Sequence, residues 1–141
     1  MKKFCQNCSS DEVLSLTLKS AGLSTTAPRL NLCRYILCEA KHPTAEDVKN
    51  WVVKNGLKIS LATIYNTLHS LCKAKLLKDL RFPHMDKVIY DNNVSRHHHF
   101  LDEETGELID IPLDEIDINP NLNRKYEIEK IDILVRGRLT K

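Results

Sequence analysis

The 141-residue chain has no apolar run near the ~18 residues that a membrane-spanning helix requires. Nor does its basic start, "MKKFCQNCSSDEV", lead into an apolar stretch of signal-peptide length. These absences argue against a helical membrane protein and make a cytoplasmic location, with no membrane partner, the expectation. Cysteine is sparse and odd in number: Cys5, Cys8, Cys33, Cys38 and Cys72. An odd count without an export signal predicts thiols rather than a disulfide framework. Cys33 and Cys72 fall on helix faces that read as buried, where cysteine acts as a small hydrophobe. The apolar fraction of 42% and charged fraction of 28% are those of an ordinary globular chain.

The chain also lacks a marked net charge, at +2, but only in the sum. Residues 1–90 carry 14 Lys+Arg against 7 Asp+Glu, a net of +7, whereas residues 91–141 carry 7 against 12, a net of −5. A basic half predicts a polyanionic partner and an acidic half a different task.

Four helical segments are predicted in the basic half. The first covers about 11–19 and stops at Gly22. In "TTAPRLNLCRYILCEA", Leu30, Cys33, Leu37 and Ala40 recur at helical spacing, with Pro28 in the first turn, where it is tolerated. The third opens at "PTAEDV", with Thr44 as cap, Glu46 and Asp47 at the positive helix end, a buried stripe of Val48, Trp51 and Val52, and Gly56 as its stop. In "SLATIYNTLHSLCKA", Ser60 is the N-cap and Leu61, Ile64, Leu68 and Leu71 form the apolar stripe. The opposite face carries Thr63, Tyr65, Asn66, Thr67 and His69, nearly free of formal charge. Small hydroxyls and an amide near a helix N-terminus suit contact with bases and phosphates, the pattern of a recognition helix. "LLKDLRFPHMDKVIYD" then alternates into two short strands about a turn at 83–86. A hairpin after a recognition helix is a wing, from which Lys78, Arg81 and Lys87 can grip phosphate.

The acidic half holds "RHHHFLDEETGELID", with three of the six histidines. Such a short internal run is not a tag. In a strand, His97 and His99 share one face and His98 takes the other. A four-residue turn at 103–106 pairs Asp102 with Glu107, Leu101 with Leu108 and His99 with Asp110. Directly opposed side chains are ~5 Å apart at Cβ, so His97, His99 and Asp110 converge. Two imidazoles and a carboxylate suit Fe²⁺, Mn²⁺ or Zn²⁺. His42 and Asp91 are candidates to complete the shell.

In order, "KHPTAEDV", "SLATIYNTL", "YDNNVSRHHHF" and "TGELIDI" resemble the ferric uptake regulator superfamily of bacterial metal-dependent repressors. The resemblance spans about residues 12–138, and "SLATIYNTLH", "YDNNVSRHHHF" and "DIP" are most similar to its iron response regulator branch, which senses haem or iron status. It implies an α+β chain: an N-terminal winged helix-turn-helix DNA-binding domain, 1–90, then a small α/β dimerisation and sensing domain, 91–141. It implies a regulatory metal site at His42, Asp91, His97, His99 and Asp110, a haem-binding segment at His97, His98 and His99, and DNA contacts at Arg29 and Tyr65. With Ser60, Thr63, Asn66 and Lys87, these form the expected DNA interface. The partners implied are a palindromic double-stranded operator and a second copy of the chain.

Three departures qualify the resemblance. Asp102 stands where many members begin two Cys-x-x-Cys pairs, and no cysteine follows Cys72, so a structural zinc is not expected. Arg96 replaces a histidine of a second metal site, and the Cys-Pro haem motif is missing. Cys5 and Cys8 read as a terminal thiol pair.

The function expected is a metal- or haem-responsive transcriptional regulator of iron homeostasis, and not an enzyme. Two alternatives use the same ligands: a peroxide-responsive repressor, in which peroxide reacting at bound Fe²⁺ oxidises His42 or His97, and a small metallohydrolase with an open metal position. Dimerisation is expected to rest on the last segment, with Ile128, Ile131, Ile133 and Val135 in one strand.

Overall fold

A computed structural model describes residues 10–122 and 124–141. Cys5 and Cys8, and the thiol pair expected there, lie outside the described residues. The chain divides into two units, 1–94 and 95–141.

The first unit is built on α1 (Asp11–Ser20), α2 (Ala27–Arg34), α3 (Ala45–Lys54) and α4 (Leu61–Lys73), followed by β1 (Lys78–Leu80) and β2 (Ile89–Asp91). Local chemistry starts most of these helices. Ser10 accepts from the Val13 N–H and Ser60 from the Thr63 N–H, each at 3.2 Å. Thr44 and Asp47 satisfy each other's backbone N–H groups at 3.1 and 2.9 Å, a capping box. Pro28 occupies the first turn of α2. The apolar faces meet in a core of Leu14, Leu18, Leu32, Ile36, Val48, Val52, Ile64, Leu68 and Leu71, all 2% exposed or less. An Arg34–Asp11 ion pair joins α2 to α1. β1 and β2 pair antiparallel, Lys78 opposite Asp91, as the wing.

Three details differ from expectation. The buried stripe of α4 is Ile64, Thr67, Leu68 and Leu71, while Leu61 is 43% exposed. Thr67 can enter the core because its hydroxyl donates back to the Thr63 carbonyl at 2.7 Å, which removes the cost of burying it. Trp51 is only half-buried and stacks flat on Tyr35, ring centroids 4.3 Å apart. Cys38 is disulfide-bonded, where thiols alone were expected.

Cys33 and Cys72 are free thiols. Burial pushes Cys33 up to about 12, partly opposed by Arg29, and pushes Cys72, near Asp79, up to about 11. Only the thiolate attacks an alkylating agent. At pH 8 both should therefore react ~100-fold or more slowly with iodoacetamide in the folded protein than in urea. A mass-spectrometric time course measures this, and equal rates would refute the burial argument. Because the folded pKa lies above the unfolded one, Cys33's contribution to stability is complete below pH 9 and fades as pH rises toward about 12.

The second unit is a three-stranded sheet in the order β4–β3–β5, from β3 (His98–Asp102), β4 (Leu108–Ile111) and β5 (Leu134–Gly137). β3 and β4 form the expected hairpin, with His99 opposite Asp110 and Leu101 opposite Leu108. Gly106, at φ 78°, supplies the left-handed turn residue. Asp102 organises that turn, its carboxylate accepting from the Glu104 N–H and the Thr105 hydroxyl at 3.0 Å each. The last strand is shorter than expected. Ile128 is 47% exposed and Ile131 and Ile133 precede the strand, which starts at Leu134 and pairs parallel to β3.

Candidate metal centre and nucleic-acid interface

In the second unit, strand alternation places His97 and His99 on one side of β3, and register brings Asp110 opposite. Their donor atoms converge: His97 Nε2 lies 3.0 Å from His99 Nε2 and 3.2 Å from Asp110 Oδ1, and His99 Nε2 lies 3.5 Å from the same oxygen. His97 and His99 are both under 9% exposed. His97 Nδ1 stands 2.6 Å from the Ser95 carbonyl, which can only accept, so Nδ1 carries the hydrogen and the Nε2 lone pair faces the cluster. A carbonyl behind a histidine is the usual way to orient a metal ligand. Lone pairs packed this closely away from water need a shared proton or a cation. The two-nitrogen, one-oxygen donor set therefore fits a borderline divalent ion.

His98 takes the opposite face, 3% exposed, and its Nδ1 accepts from the Ile133 N–H at 3.3 Å. It ties the segment entering β5 to β3 and does not share the face of His97 and His99.

The first unit carries its own pair. His42 Nε2 stands 3.7 Å from Asp91 Oδ2, with Asp91 only 2% exposed, and Asp91 Oδ1 accepts from the Asn93 N–H at 2.9 Å. Sequence reasoning reached both residues but not Asn92, whose amide bonds two carbonyls more than 50 residues away in the chain.

On α4, Tyr65 is 52% exposed and Asn66 is exposed beside it. Ser60 and Thr63 are joined hydroxyl to hydroxyl at 2.9 Å at the helix start. Arg29 is half-buried in the first turns of α2, and Lys87 on the wing pairs with Glu46 at 3.2 Å, both side chains well exposed. A surface pair like this is weak, so phosphate can displace the glutamate.

Capped helices, an exposed and uncharged face on α4, a wing, and a following unit with a His/Asp cluster define a winged-helix transcriptional regulator. Comparison with known proteins agrees. The profile of the ferric uptake regulator family matches residues 20–136, and the chain belongs to that family. It is 30% identical over 115 residues to the peroxide-responsive repressor PerR of Staphylococcus aureus NCTC 8325, covering 82% of this chain and 71% of the relative. Its fold is similar to the Vibrio cholerae ferric uptake regulator, at TM-score 0.66 and 21% identity, over 89% of this chain and 99% of the other. It is also similar to the Pseudomonas aeruginosa ferric uptake regulator solved with manganese, at TM-score 0.64 and 24% identity, over 90% and 98%. No described helix is long and apolar enough to cross a membrane.

Proposed function

We propose that the protein is a dimeric transcriptional regulator whose affinity for a palindromic operator is set by one divalent ion, Fe²⁺, Mn²⁺ or Zn²⁺. His97, His99 and Asp110 of the sensing unit and His42 and Asp91 of the reader unit are its ligands. The observation that carries this is the convergence of His97, His99 and Asp110 within 3.5 Å. When bound, the ion supplies a cross-link between ligands of two separately folded units. The residues do the rest: Ser95 orients His97, Asn93 fixes one oxygen of Asp91, and the ligands favour whichever domain arrangement they fit best. A fixed arrangement sets the spacing of two recognition helices on DNA. A divalent ion is favoured over haem because His98, the third member of the triplet, faces away and is bonded to Ile133. Family membership weighs against the hydrolase reading. The likeness of "YDNNVSRHHHF" to the iron response branch supports iron-handling genes as the targets.

The test is DNA affinity of the apo protein, at fixed salt, with and without Mn²⁺, Zn²⁺ and Fe²⁺, on duplexes selected from a random pool. A metal-dependent change is expected, and metal-independent affinity would overturn the proposal. In the active form, Tyr65→Ala and Asn66→Ala should each weaken binding about tenfold, as loss of a base or backbone contact does. Undiminished binding by both would remove α4 from the interface.

The 30% identity to a peroxide-responsive repressor supports a second reading, in which bound iron reports peroxide. It predicts oxygen incorporation at His42 or His97 after peroxide treatment of the Fe²⁺ form, and an unchanged peptide mass at both rules it out.

A further inference from the structure

Helix α2 does not end as an ordinary α-helix. It passes into a π-helical turn, Tyr35–Glu39, where the Ala40 N–H donates to the Tyr35 carbonyl at 2.8 Å. Such turns leave the local carbonyl pattern out of step with the regular ladder and are enriched at functional positions. Asn92, the residue after β2, meets this end with its side-chain amide. Nδ2 donates to the Ile36 carbonyl at 3.1 Å and to the Ala40 carbonyl at 2.9 Å.

Two residues beyond Ala40 stands His42, with φ 46°. That is the left-handed region, which a β-carbon disfavours, and the ring of Pro43 further restricts the residue before it. A backbone in this region persists only where its surroundings over-determine it. Here both flanks are held from the end of β2. Asn92 holds the Ala40 carbonyl on one side, and the Tyr90 N–H donates to the Pro43 carbonyl at 2.8 Å on the other. Between Tyr90 and Asn92 lies Asp91, whose Oδ1 is fixed by the Asn93 N–H. Tyr90 and Asn93 act here through backbone atoms, which any residue but proline supplies. Asn92 alone acts through its side chain.

We propose that Asn92 is a positioning residue for the metal donors, its amide holding the strained His42 turn in register with Asp91. This rests on the assignment of His42 and Asp91 as ligands. A side chain that aligns ligands without touching the ion typically changes metal affinity ~10–100-fold when lost.

The experiment titrates full-length apo protein with Co²⁺, followed by ligand-field absorption, for the wild type, Asn92→Ala and Asp91→Ala. Circular dichroism melts of each apo protein accompany it. For Asn92→Ala we expect about tenfold weaker Co²⁺ binding and an altered band shape. Wild-type affinity and band shape in Asn92→Ala, with weakened binding in Asp91→Ala, would overturn the role of Asn92 alone. A lowered apo melting temperature with an unchanged spectrum would do the same, since it marks a merely structural bond. Wild-type binding by Asp91→Ala would overturn the ligand assignment instead. Should Asn92→Ala not fold, Asn92→Ser, which keeps a shorter donor, is judged by the same affinity and spectrum.

Discussion

His99→Ala is expected to lower divalent-metal affinity ~100-fold or more and to leave DNA binding indifferent to added metal. Losses of groups that only orient ligands already reach ~10–100-fold, and His99 is proposed as a ligand itself. Its Nε2 sits 3.0 Å from His97 Nε2 and 3.5 Å from Asp110 Oδ1, so its removal takes one of the three converging donors away. The fold should survive, because what anchors residue 99 is backbone: register with Asp110 and Leu134, and an N–H donating to the Ile133 carbonyl at 3.1 Å. His98→Ala makes the matched comparison. It deletes the acceptor for the Ile133 N–H and leaves all three converging donors in place. It should loosen the attachment of β5 yet keep metal affinity within a few-fold of wild type. Chelator competition with Zn²⁺ and Mn²⁺ on the three proteins measures this. Equal affinity in wild type and His99→Ala would sink the hairpin site. A loss confined to His98→Ala would favour a ligand that uses the other face.

The hairpin is legible in the sequence because two independent constraints agree. A four-residue turn ending in glycine sets the offset, and a one-residue slip would invert every side chain of β3, so 99 opposite 110 follows. The capped starts of α3 and α4 were equally local, each a hydroxyl three residues before the N–H it accepts. What was not legible is what long-range contacts decide. β5 is four residues long and pairs parallel with a strand some thirty residues earlier, so no turn announces it. Ile128 and Ile131 before it have the side chains of a strand but precede the residues that pair with β3. The π turn and the Asn92 amide are linked across 52 and 56 residues, and nothing periodic marks them. The nearest signals were Pro43 after His42 and an asparagine pair after Asp91, features that turns contain routinely.

The α4 stripe is where periodicity misassigned a residue, and it yields the second large prediction. Helical spacing alone groups Leu61 with Ile64, Leu68 and Leu71, as if all four were equally deep. Leu68 is 0% exposed, whereas Leu61, one residue into the helix, is 43% exposed. Leu68→Ala removes buried methyl groups and leaves a cavity that the surrounding core, which includes Val48 and Ile36, closes only in part. Such changes cost about 2–5 kcal/mol. With a urea dependence of ~1–3 kcal/mol per molar for a small domain, the unfolding midpoint should fall by about 0.7 M or more. Leu61→Ala removes the same atoms from a half-solvated position on a helix, where alanine also has the better propensity, and should cost under about 1 kcal/mol. Trp51, the sole tryptophan, stacks on Tyr35 within the same unit, so its fluorescence follows the unfolding of that unit. Equal midpoints for the two variants would mean that Leu61 is covered in the protein as it exists in solution, and the exposed start of α4 would then need a partner. A large gap keeps that surface open, beside Ser60 and Tyr65, for DNA.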